Sequence, residues 1–413
     1  MASTTQGTRR ITFYVALAVF AQESTWNFYD NRVPELLRDH IAGAAVIGLL
    51  MGMDNLLGIF VQPYMGNRSD NTRTAWGRRI PYLAVMMPLG AVLFLLIPLA
   101  GSLGPLILVI FLYALVMNSF KPVSESLMPD FIGPDRRSRA NAVVKIASAL
   151  TTVVAALVSL LLVDDHPELA FAVPAALMLV AAAVLVTGVR DSRSPAYQAA
   201  LAEDATGPHL HDAKVTTRAV IGDLVFAADR SRLLLIVAVF VFGGAWFASR
   251  SLMTPYGVEV LGLSDGEAGG LTLPSGVVFI LAAFPAALLA ERFGRLRVMA
   301  AGIALFAAGL LLGAAVPVTA VTVVALCLGT AGAAAFIVNA VVVLWNLAPS
   351  SRVLGTYTGL YTVGWAGGGF AGPALVGLAV DLTGWRLMLL HIAVLAVAAV
   401  VLVLRVDRLR AAR

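Results

Sequence analysis

Six of the ionisable side chains that lie inside long apolar stretches of the sequence are candidates for chemistry, and three are acids while three are bases. They are Glu23, Asp54, Glu125, Lys121, Lys145 and Arg250. A charge at the centre of a membrane helix costs about 2.5–3.5 kcal/mol on insertion scales, so each of these groups needs a compensating role. Two roles compete. The acids and bases form ion pairs that hold helices together, or they face a solvated cavity where a carboxylate exchanges a proton and other groups bind a substrate.

Asp54 is the first candidate for the proton-exchanging carboxylate. It lies about eleven residues inside its apolar stretch, next to Asn55. Loss of water disfavours a charged carboxylate, so a proton is expected to bind and leave there under physiological conditions. Glu23 and Glu125 are the alternatives. Glu125 follows Lys121 by four residues, a spacing that equally suits a structural pair on one helix face.

Polar and aromatic side chains recur at helical spacing and predict a binding cavity. The expected substrate-binding residues are Trp26, Asn27, Asn55, Asn118, Lys121, Lys145, Trp246, Arg250, Asn339, Tyr361 and Trp365. Aromatic surfaces flanked by a few hydrogen-bonding groups are typical of small-molecule sites, and this combination favours a sugar. The alternative is that Arg250 binds a carboxylate or phosphate of the substrate.

The elements that must position these side chains are membrane helices. The chain has 413 residues, of which 59% are hydrophobic and 13% charged, whereas soluble domains carry about 25% charged residues. Its mean hydropathy is +0.87. Spanning a bilayer takes about 20 apolar residues, and twelve stretches qualify. They lie at 11–33, 43–65, 80–100, 104–128, 141–163, 169–189, 232–256, 268–290, 297–316, 319–347, 353–379 and 385–405.

The distribution of Lys and Arg predicts the topology of this all-α membrane protein. With the N-terminus inside, 23 of the 29 basic residues are cytoplasmic and three are external, so both termini are expected in the cytoplasm. The net charge of +5 then follows from topology, and no soluble basic face for nucleic acid is expected. The expected location is the cell membrane, plasma or inner, with the lipid bilayer as surroundings.

Several function classes are disfavoured by what the sequence lacks. Cys327 is the only cysteine, so a disulfide framework or a cysteine metal cluster is not expected. No nucleophile–histidine–acid set and no nucleotide-binding loop is present in the sequence. We therefore expect neither an enzyme nor an ATP-driven pump, and no cofactor or metal beyond a proton as coupling ion.

A charged loop between the second and third stretches has a counterpart in the other half of the chain. The loop contains Gly66, Asp70, Arg78 and Arg79. At an offset near 220 residues, the counterpart contains Glu291, Arg292 and Arg295. The same offset relates Trp26 to Trp246 and Asn118 to Asn339.

The repeat and a polar segment in the middle of the chain predict three regions. These are a six-helix bundle at 1–189, a cytoplasmic linker at 190–231 with one amphipathic helix near 216–228, and a second six-helix bundle at 232–413.

The six-plus-six repeat with a charged loop after spans 2 and 8 resembles the major facilitator superfamily. That resemblance implies two bundles with a substrate site between them near the bilayer midplane, and transport by alternating access. It also implies that Gly66, Asp70, Arg78 and Arg79, with Glu291, Arg292 and Arg295 in the repeat, act as gating loops. We expect Asp70 to lie at a helix N-terminus, where the helix dipole favours an anion.

The loop after span 2 also resembles a narrower group, the bacterial relatives of the sucrose–proton symporters, which are similar to glycoside–pentoside–hexuronide transporters. The similarity rests on Gln62-Pro63, Ser69-Asp70, Gly77-Arg78-Arg79 and Pro81, and on the 127–130 and 137–141 stretches after Lys121. Melibiose-type sodium symporters carry acidic cation ligands where this chain has Gly58 and Gln62, which favours protons over sodium.

The sequence thus predicts a secondary active transporter that acts as a monomer. Proton-coupled symport of a sugar or glycoside is the first interpretation. Proton-coupled efflux of an amphiphilic small molecule or natural product is the alternative. The glycine-rich eleventh span and the seventh span, broken near Pro255, are expected to move or to pack tightly.

Overall fold

The computed structural model describes residues 5–41, 44–162, 167–206 and 215–411. Over these residues the chain is α-helical, with short 3-10 turns and a single isolated bridge between Thr74 and Gly77. Helices suit a membrane because each backbone N–H and C=O is paired within its own segment, which lipid demands.

The helices of the first half and the linker are α1 (Thr5–Arg38), α2 (Ala44–Asp70), α3 (Ile80–Leu96), α4 (Leu103–Phe131), α5 (Arg137–Leu162), α6 (Pro167–Gly188), α7 (Pro195–Thr206) and α8 (Thr217–Phe226). Those of the second half are α9 (Ser231–Ser251), α10 (Met253–Leu261), α11 (Asp265–Gly270), α12 (Leu273–Phe293), α13 (Arg295–Ala315), α14 (Thr319–Leu347), α15 (Leu354–Thr383) and α16 (Met388–Ala411).

Twelve of these helices, six in each half, correspond to the twelve predicted spans, and the predicted all-α membrane fold is confirmed. Within the described residues, eight helices meet both the length and the hydropathy needed to cross a membrane, and α3 is a shorter apolar helix.

The chain divides by its internal contacts into two compact units. The first contains Met1–Val220 and Ala348–Gly359, and the second contains Ile221–Leu347 and Leu360–Arg413. This division differs from the predicted regions because the segment that starts α15 belongs to the first unit. The first boundary lies within the predicted linker, at residues 220 and 221, and the other two enclose residues 348–359.

An aromatic cluster forms part of the core of the first unit. Phe28 of α1 contacts Phe94 of α3 and Phe171 of α6 with ring centroids 6.2 and 5.0 Å apart. Tyr113 of α4 lies 5.5 Å from Phe94. Edge-to-face aromatic contacts of this kind add to the burial of apolar surface. Four helices are thereby held in one fixed arrangement around the polar side chains of α1 and α4.

In the second unit, small residues let helices approach closely. A Cβ added at Gly372 of α15 would lie 2.2 Å from the Cα of Gly244 on α9, and one added at Gly302 of α13 would lie 2.4 Å from the Gly332 carbonyl oxygen on α14. Such contacts are typical of helix packing in membranes. Gly372 of α15 thus permits close packing in this structure, and the helix runs unbroken through Pro373.

The predicted break in the seventh span lies between α9 and α10. The backbone leaves helical geometry at Leu252, with φ −96° and ψ 0°, three residues before Pro255. Proline clashes with the carbonyl four residues earlier, here that of Ser251, and this explains the position of the break. Arg250 is therefore in the last turn of α9, immediately before the change in direction.

The linker contains more structure than predicted. The expected amphipathic helix is present as α8. The helix α7 was not predicted, because its sequence has no clear apolar face. It is stabilised by contacts with loops of the first unit, described below.

Candidate functional site

The charged groups of α1 and α4 form an ion pair within the first unit. Lys121 Nζ lies 3.1 Å from Glu23 Oε1, and the two side chains remain 27% and 22% exposed. Lys121 therefore pairs with another helix rather than with Glu125, which lies one turn further along α4 and acts on it only as a nearby charge. The pair neutralises Glu23, one of the three predicted proton-coupling carboxylates.

Two predicted substrate-binding amides connect helices of the first unit. Asn27 Nδ2 donates to Thr151 Oγ1 of α5 at 2.7 Å. Asn118 Oδ1 accepts from Gln62 Nε2 of α2 at 2.7 Å, and its Nδ2 donates to the Asp54 carbonyl oxygen at 3.1 Å. Asn118 is only 5% exposed. The structure thus places Asn118 in the contact between α2 and α4.

Asp54 differs from Glu23 in its partners. Its Oδ1 accepts a hydrogen bond from Asn55 Nδ2 at 3.1 Å, and no basic side chain of the described residues forms an ion pair with it. Asp54 is half-buried, whereas Asn55 is exposed. Glu125 of α4 and Lys145 of α5 are also half-buried. The first unit therefore holds an unpaired carboxylate on α2 close to a charged pair.

Trp26 is half-buried on the same helix as Glu23. Its ring contacts Tyr29 at 5.5 Å and Tyr113 at 5.4 Å, both edge-on. These contacts fix the orientation of the indole and leave part of its surface accessible.

Arg250 and Trp246 form a cluster in the second unit with two hydroxyl groups. Arg250 Nη1 donates to Ser275 Oγ of α12 at 2.7 Å, and Nη2 donates to Thr330 Oγ1 of α14 at 2.9 Å. The guanidinium carbon lies 4.3 Å from the centre of the Trp246 ring, a distance at which the cation is attracted to the ring face. Both predicted residues are thus brought together, and they are joined by Ser275 and Thr330, which had not been predicted.

The remaining predicted residues of the second unit have different surroundings. Trp365 is half-buried, stacks parallel to Tyr361 with centroids 6.4 Å apart, and meets Phe247 edge-on at 5.5 Å. Asn339 is fully buried in α14, where its Nδ2 donates to the Ala335 carbonyl oxygen at 2.8 Å.

Asp70 caps the N-terminus of α15, as predicted for an acid at a helix start. Its Oδ1 accepts from the backbone N–H of Gly355 at 2.9 Å, and its Oδ2 accepts from the backbone N–H and the hydroxyl of Thr356 at 2.8 and 2.9 Å. The first N–H groups of a helix lack partners within the helix, and the dipole favours an anion there. Gly66, one turn earlier, permits the approach: a Cβ at Gly66 would lie 2.1 Å from the Gly355 carbonyl oxygen.

Arg78 and Arg79 are completely buried and share one acid. Asp130, at the end of α4, accepts from Arg78 Nη2 at 2.7 Å and from Arg79 Nε at 2.9 Å. Arg79 Nη2 also donates to Asp70 Oδ1 at 2.6 Å, and Arg78 Nη1 donates to the Ser351 carbonyl oxygen at 2.9 Å. Two acids and two bases thus balance in charge where the loop, α4 and the start of α15 meet.

Asp191, just after α6, completes this cluster, which we call the charged cluster. Its Oδ2 accepts the backbone N–H groups of Arg78, at 2.5 Å, and of Arg79. Gly77 has φ +103°, and a Cβ there would meet Asp191 Oδ2 at 2.5 Å. Burial raises the pKa of Asp191 and outweighs the two N–H donors that favour its charged form.

The helix α7 joins the same loop to the segment before α15. Asp204 accepts from Arg73 Nε at 2.9 Å and lies 3.0 Å from Arg352 Nη2. Glu203 accepts from the hydroxyl of Ser350. Tyr197 lies under the Arg73 guanidinium at 5.8 Å. We call these α7 contacts the linker clamp.

The counterpart loop in the second unit is built differently. Arg292 lies over the ring of Phe293 at 5.1 Å, and Gly294 has φ +95° between α12 and α13. Glu291 lies in the last turn of α12, which ends at Phe293, and Arg295 begins α13. An exposed ion pair at 3.8 Å joins Arg297 to Asp407. This loop therefore lies between α12 and α13, as the first charged loop lies between α2 and α3, but fewer of its charged side chains are buried.

Sequence reasoning missed the roles of Asp130, Asp191 and Asp204. Each acid lies far along the chain from the arginine it contacts. A usable signal existed for Asp130 and Asp191: each is an acid at the end of an apolar stretch on the same predicted side of the membrane as Arg78 and Arg79. No comparable signal marked Asp204.

The comparisons with known proteins agree with this geometry. A family model described as the Major Facilitator Superfamily matches residues 12–282 and 270–413. The mouse Membrane-associated transporter protein is 32% identical over 83 residues, which are 19% of this chain and 16% of that protein. The human protein of the same name is 31% identical over 83 residues, with the same coverage. The chain therefore matches less than a fifth of the length of these curated relatives.

Solved structures match over nearly the whole chain. The transporter FucP has a TM-score of 0.76 at 17% identity and covers 96% of this chain and 98% of its own. The human organic anion transporter MFSD10 (TETRAN) has a TM-score of 0.75 at 15% identity, covering 96% and 99%. A bacterial homologue of the iron transporter ferroportin has a TM-score of 0.75 at 14% identity, covering 96% and 99%. At these identities the likeness is one of fold. With the family match over nearly all of its length, the chain belongs to the major facilitator superfamily and is a multi-pass membrane transporter.

Proposed function

We propose that the chain carries out proton-coupled symport of a sugar or glycoside by alternating access, as a monomer in the plasma or inner membrane. The observation that carries the proton coupling is Asp54. It is a half-buried carboxylate in a membrane helix, and no basic group of the described residues pairs with it. Proton binding makes such a group neutral and removes the cost of an unpaired charge in the membrane. Glu23 already has Lys121 as its counterion.

The sugar assignment is supported by aromatic surfaces with polar neighbours. Trp26 and Trp365 are both half-buried and held by other rings, so each presents part of a fixed indole face. Such faces suit the apolar side of a pyranose, and Glu23 and Lys121 can exchange hydrogen bonds with hydroxyls. One protein of similar fold is described as the E. coli fucose:proton symporter. The resemblance to the sucrose–proton symporter relatives points the same way.

The gating proposal rests on the charged cluster. The cap formed by Asp70 and the salt bridges of Arg78 and Arg79 join the loop after α2 to the first turn of α15. We propose that these contacts form in one state of the transport cycle and break in another. Buried charge networks suit such a role because they are stable when complete and costly when one partner is removed.

The proposal is tested with purified protein in proteoliposomes. An alkaline interior is imposed, labelled mono- and disaccharides are offered outside, and accumulation is followed with and without a protonophore. Symport predicts accumulation that the protonophore abolishes. Absence of gradient-driven accumulation for every sugar, together with proton-driven export of an amphiphilic dye from the same vesicles, would overturn symport in favour of efflux.

Asp54→Asn tests the coupling site in the same vesicles. The variant is expected to lose accumulation against a gradient while it retains exchange of labelled for unlabelled sugar, because exchange needs no net proton movement. Asp39→Asn is the matched control, since Asp39 lies in an exposed turn after α1. If accumulation persists in Asp54→Asn, the proton binds at another residue, and Glu125 is the next residue to replace.

A further inference from the structure

Arg250 carries its guanidinium group inside a membrane helix, and no carboxylate of the described residues is its partner. Its two protein acceptors are the neutral hydroxyls of Ser275 and Thr330, and no carboxylate of the described residues forms an ion pair with it. The fully buried Arg78 and Arg79 of the first unit show the contrast, because each of them meets carboxylates at 2.6–2.9 Å. The charge of Arg250 is thus not neutralised by any carboxylate of the described residues.

The hydrogen bonds leave part of the guanidinium available. A guanidinium carries five N–H donors in one plane, and two of them reach Ser275 and Thr330. Ser275 Oγ donates its own hydrogen to the Thr272 carbonyl oxygen at 2.6 Å, so toward Arg250 it acts only as an acceptor. The remaining donors have the geometry that binds a carboxylate through two parallel hydrogen bonds.

The plane of the guanidinium is held in place before any ligand binds. Trp246 lies under it at 4.3 Å, and the indole is itself packed against Phe279 and Phe306 with centroids 6.3 Å away in each case. The residue is half-buried, so part of its surface is accessible. Because the donors are already oriented, binding an anion there requires little ordering of the side chain.

A purely structural role fits these contacts less well. Two hydrogen bonds to hydroxyls could be made by a neutral amide side chain, without a charge to be buried. An arginine adds to those two bonds a positive charge, which the Trp246 ring attracts but no described carboxylate neutralises, and further donors, which no described residue accepts. Those two properties are the ones that recognise an anion.

We propose that Arg250, positioned by Ser275, Thr330 and Trp246, binds a carboxylate on the transported substrate. The substrate class is then an organic anion, such as a sugar acid or a glycoside that carries a carboxylate. This inference rests on the proposed transport function. It also gives a charge balance, since one proton carried with one carboxylate moves no net charge.

Arginine modification tests the site without any need for transport. The purified full chain in detergent is treated with phenylglyoxal at alkaline pH, and the modification of each arginine is followed by peptide mass spectrometry. Benzoate is the probe, and benzamide is its neutral match in size and shape. Arg193 and Arg218, both exposed, are internal references.

The expected result is that Arg250 reacts and that benzoate in the millimolar range slows its modification, by about tenfold once benzoate is at about nine times its dissociation constant. Benzamide and the two reference arginines should show no such effect. Ser275→Ala is expected to weaken the protection severalfold while the reaction of Arg250 remains.

Four results would overturn the inference: an unreactive Arg250, no protection by benzoate, equal protection by benzamide, or equal slowing at the references, which would indicate an adventitious ion only. If Arg250 shows none of the expected protection, sugar accumulation in proteoliposomes can still be observed, so that result rejects the anion site and not the proposed symport. Conversely, absence of sugar symport with intact benzoate protection would reject the proposed function and keep the anion site.

Discussion

Replacing Asp70 by asparagine changes one oxygen of a fully used carboxylate into an N–H₂ group. Oδ1 accepts from Gly355 N and Arg79 Nη2, and Oδ2 accepts from both Thr356 donors. An asparagine keeps a single acceptor oxygen. The least costly orientation keeps that oxygen toward Arg79 and Gly355 and turns the amide N–H₂ toward Thr356, whose backbone N–H then has no acceptor.

The magnitude follows from these contacts. A buried N–H without an acceptor costs about 1–3 kcal/mol. Loss of the negative charge at the helix start costs roughly a further 0.3–1 kcal/mol, and the bond to Arg79 is weakened as well. We therefore expect Asp70→Asn to lower the free energy of unfolding by about 2–4 kcal/mol, or a 30- to 1,000-fold change in the equilibrium constant.

Two measurements check this value. Denaturant titration of the detergent-solubilised protein, followed by circular dichroism, gives the change in unfolding free energy from the shift of the midpoint. Hydrogen exchange followed by mass spectrometry reports locally, and peptides covering Ala348–Gly359 should exchange faster in the variant. Asp39→Asn, in an exposed turn, should change stability by no more than about 0.5 kcal/mol.

The reasoning is refuted if Asp70→Asn behaves like Asp39→Asn in both measurements. A stability loss without faster exchange in Ala348–Gly359 would also contradict it, because the cost would then arise away from the helix cap. Thr356→Val refines the test. It removes the hydroxyl donor and keeps the backbone N–H, so about 1 kcal/mol is expected.

Two further predictions concern neighbouring contacts. Gly66→Ala places a Cβ 2.1 Å from a backbone carbonyl oxygen and should cost about 1–3 kcal/mol of unfolding free energy, whereas Gly101→Ala, with open space around it, should cost little in the same titration. Asp204→Asn breaks two ion pairs of a side chain that is 30% exposed, so at most about 1 kcal/mol is expected. That loss should shrink when the titration is repeated at 1 M salt, where the screening length falls to about 3 Å. An unchanged loss at high salt would assign it to packing.

Much of the fold could be predicted because membrane helices are encoded locally. Long apolar stretches give the helices directly, and proline gives the break after Leu252. The cap by Asp70 was also predictable. It needs only an acid at the end of one helix, and the internal repeat shows that the loop containing this acid has a counterpart in the second half.

The partners of the buried charges could not be predicted, because pairing across helices depends on how the helices rotate about their axes. Lys121 lies four residues from Glu125 and 98 residues from Glu23, yet it pairs with Glu23. Asn118 looks like a cavity residue by spacing, but its helix face turns toward Gln62. Ser275 and Thr330 could not be predicted for the same reason, because only the arrangement of the helices shows that their hydroxyls contact Arg250.

The linker clamp has a consequence for dividing the chain into separately expressed halves. All of the linker-clamp contacts are within the first unit, with Arg73 and with the 350–352 segment. A break placed before Pro195 would therefore separate α7 from Arg73. A break after Thr206 keeps α7 covalently joined to Arg73, and the contacts of α7 with the 350–352 segment then connect the two polypeptides, so co-expressed halves divided here should reassemble.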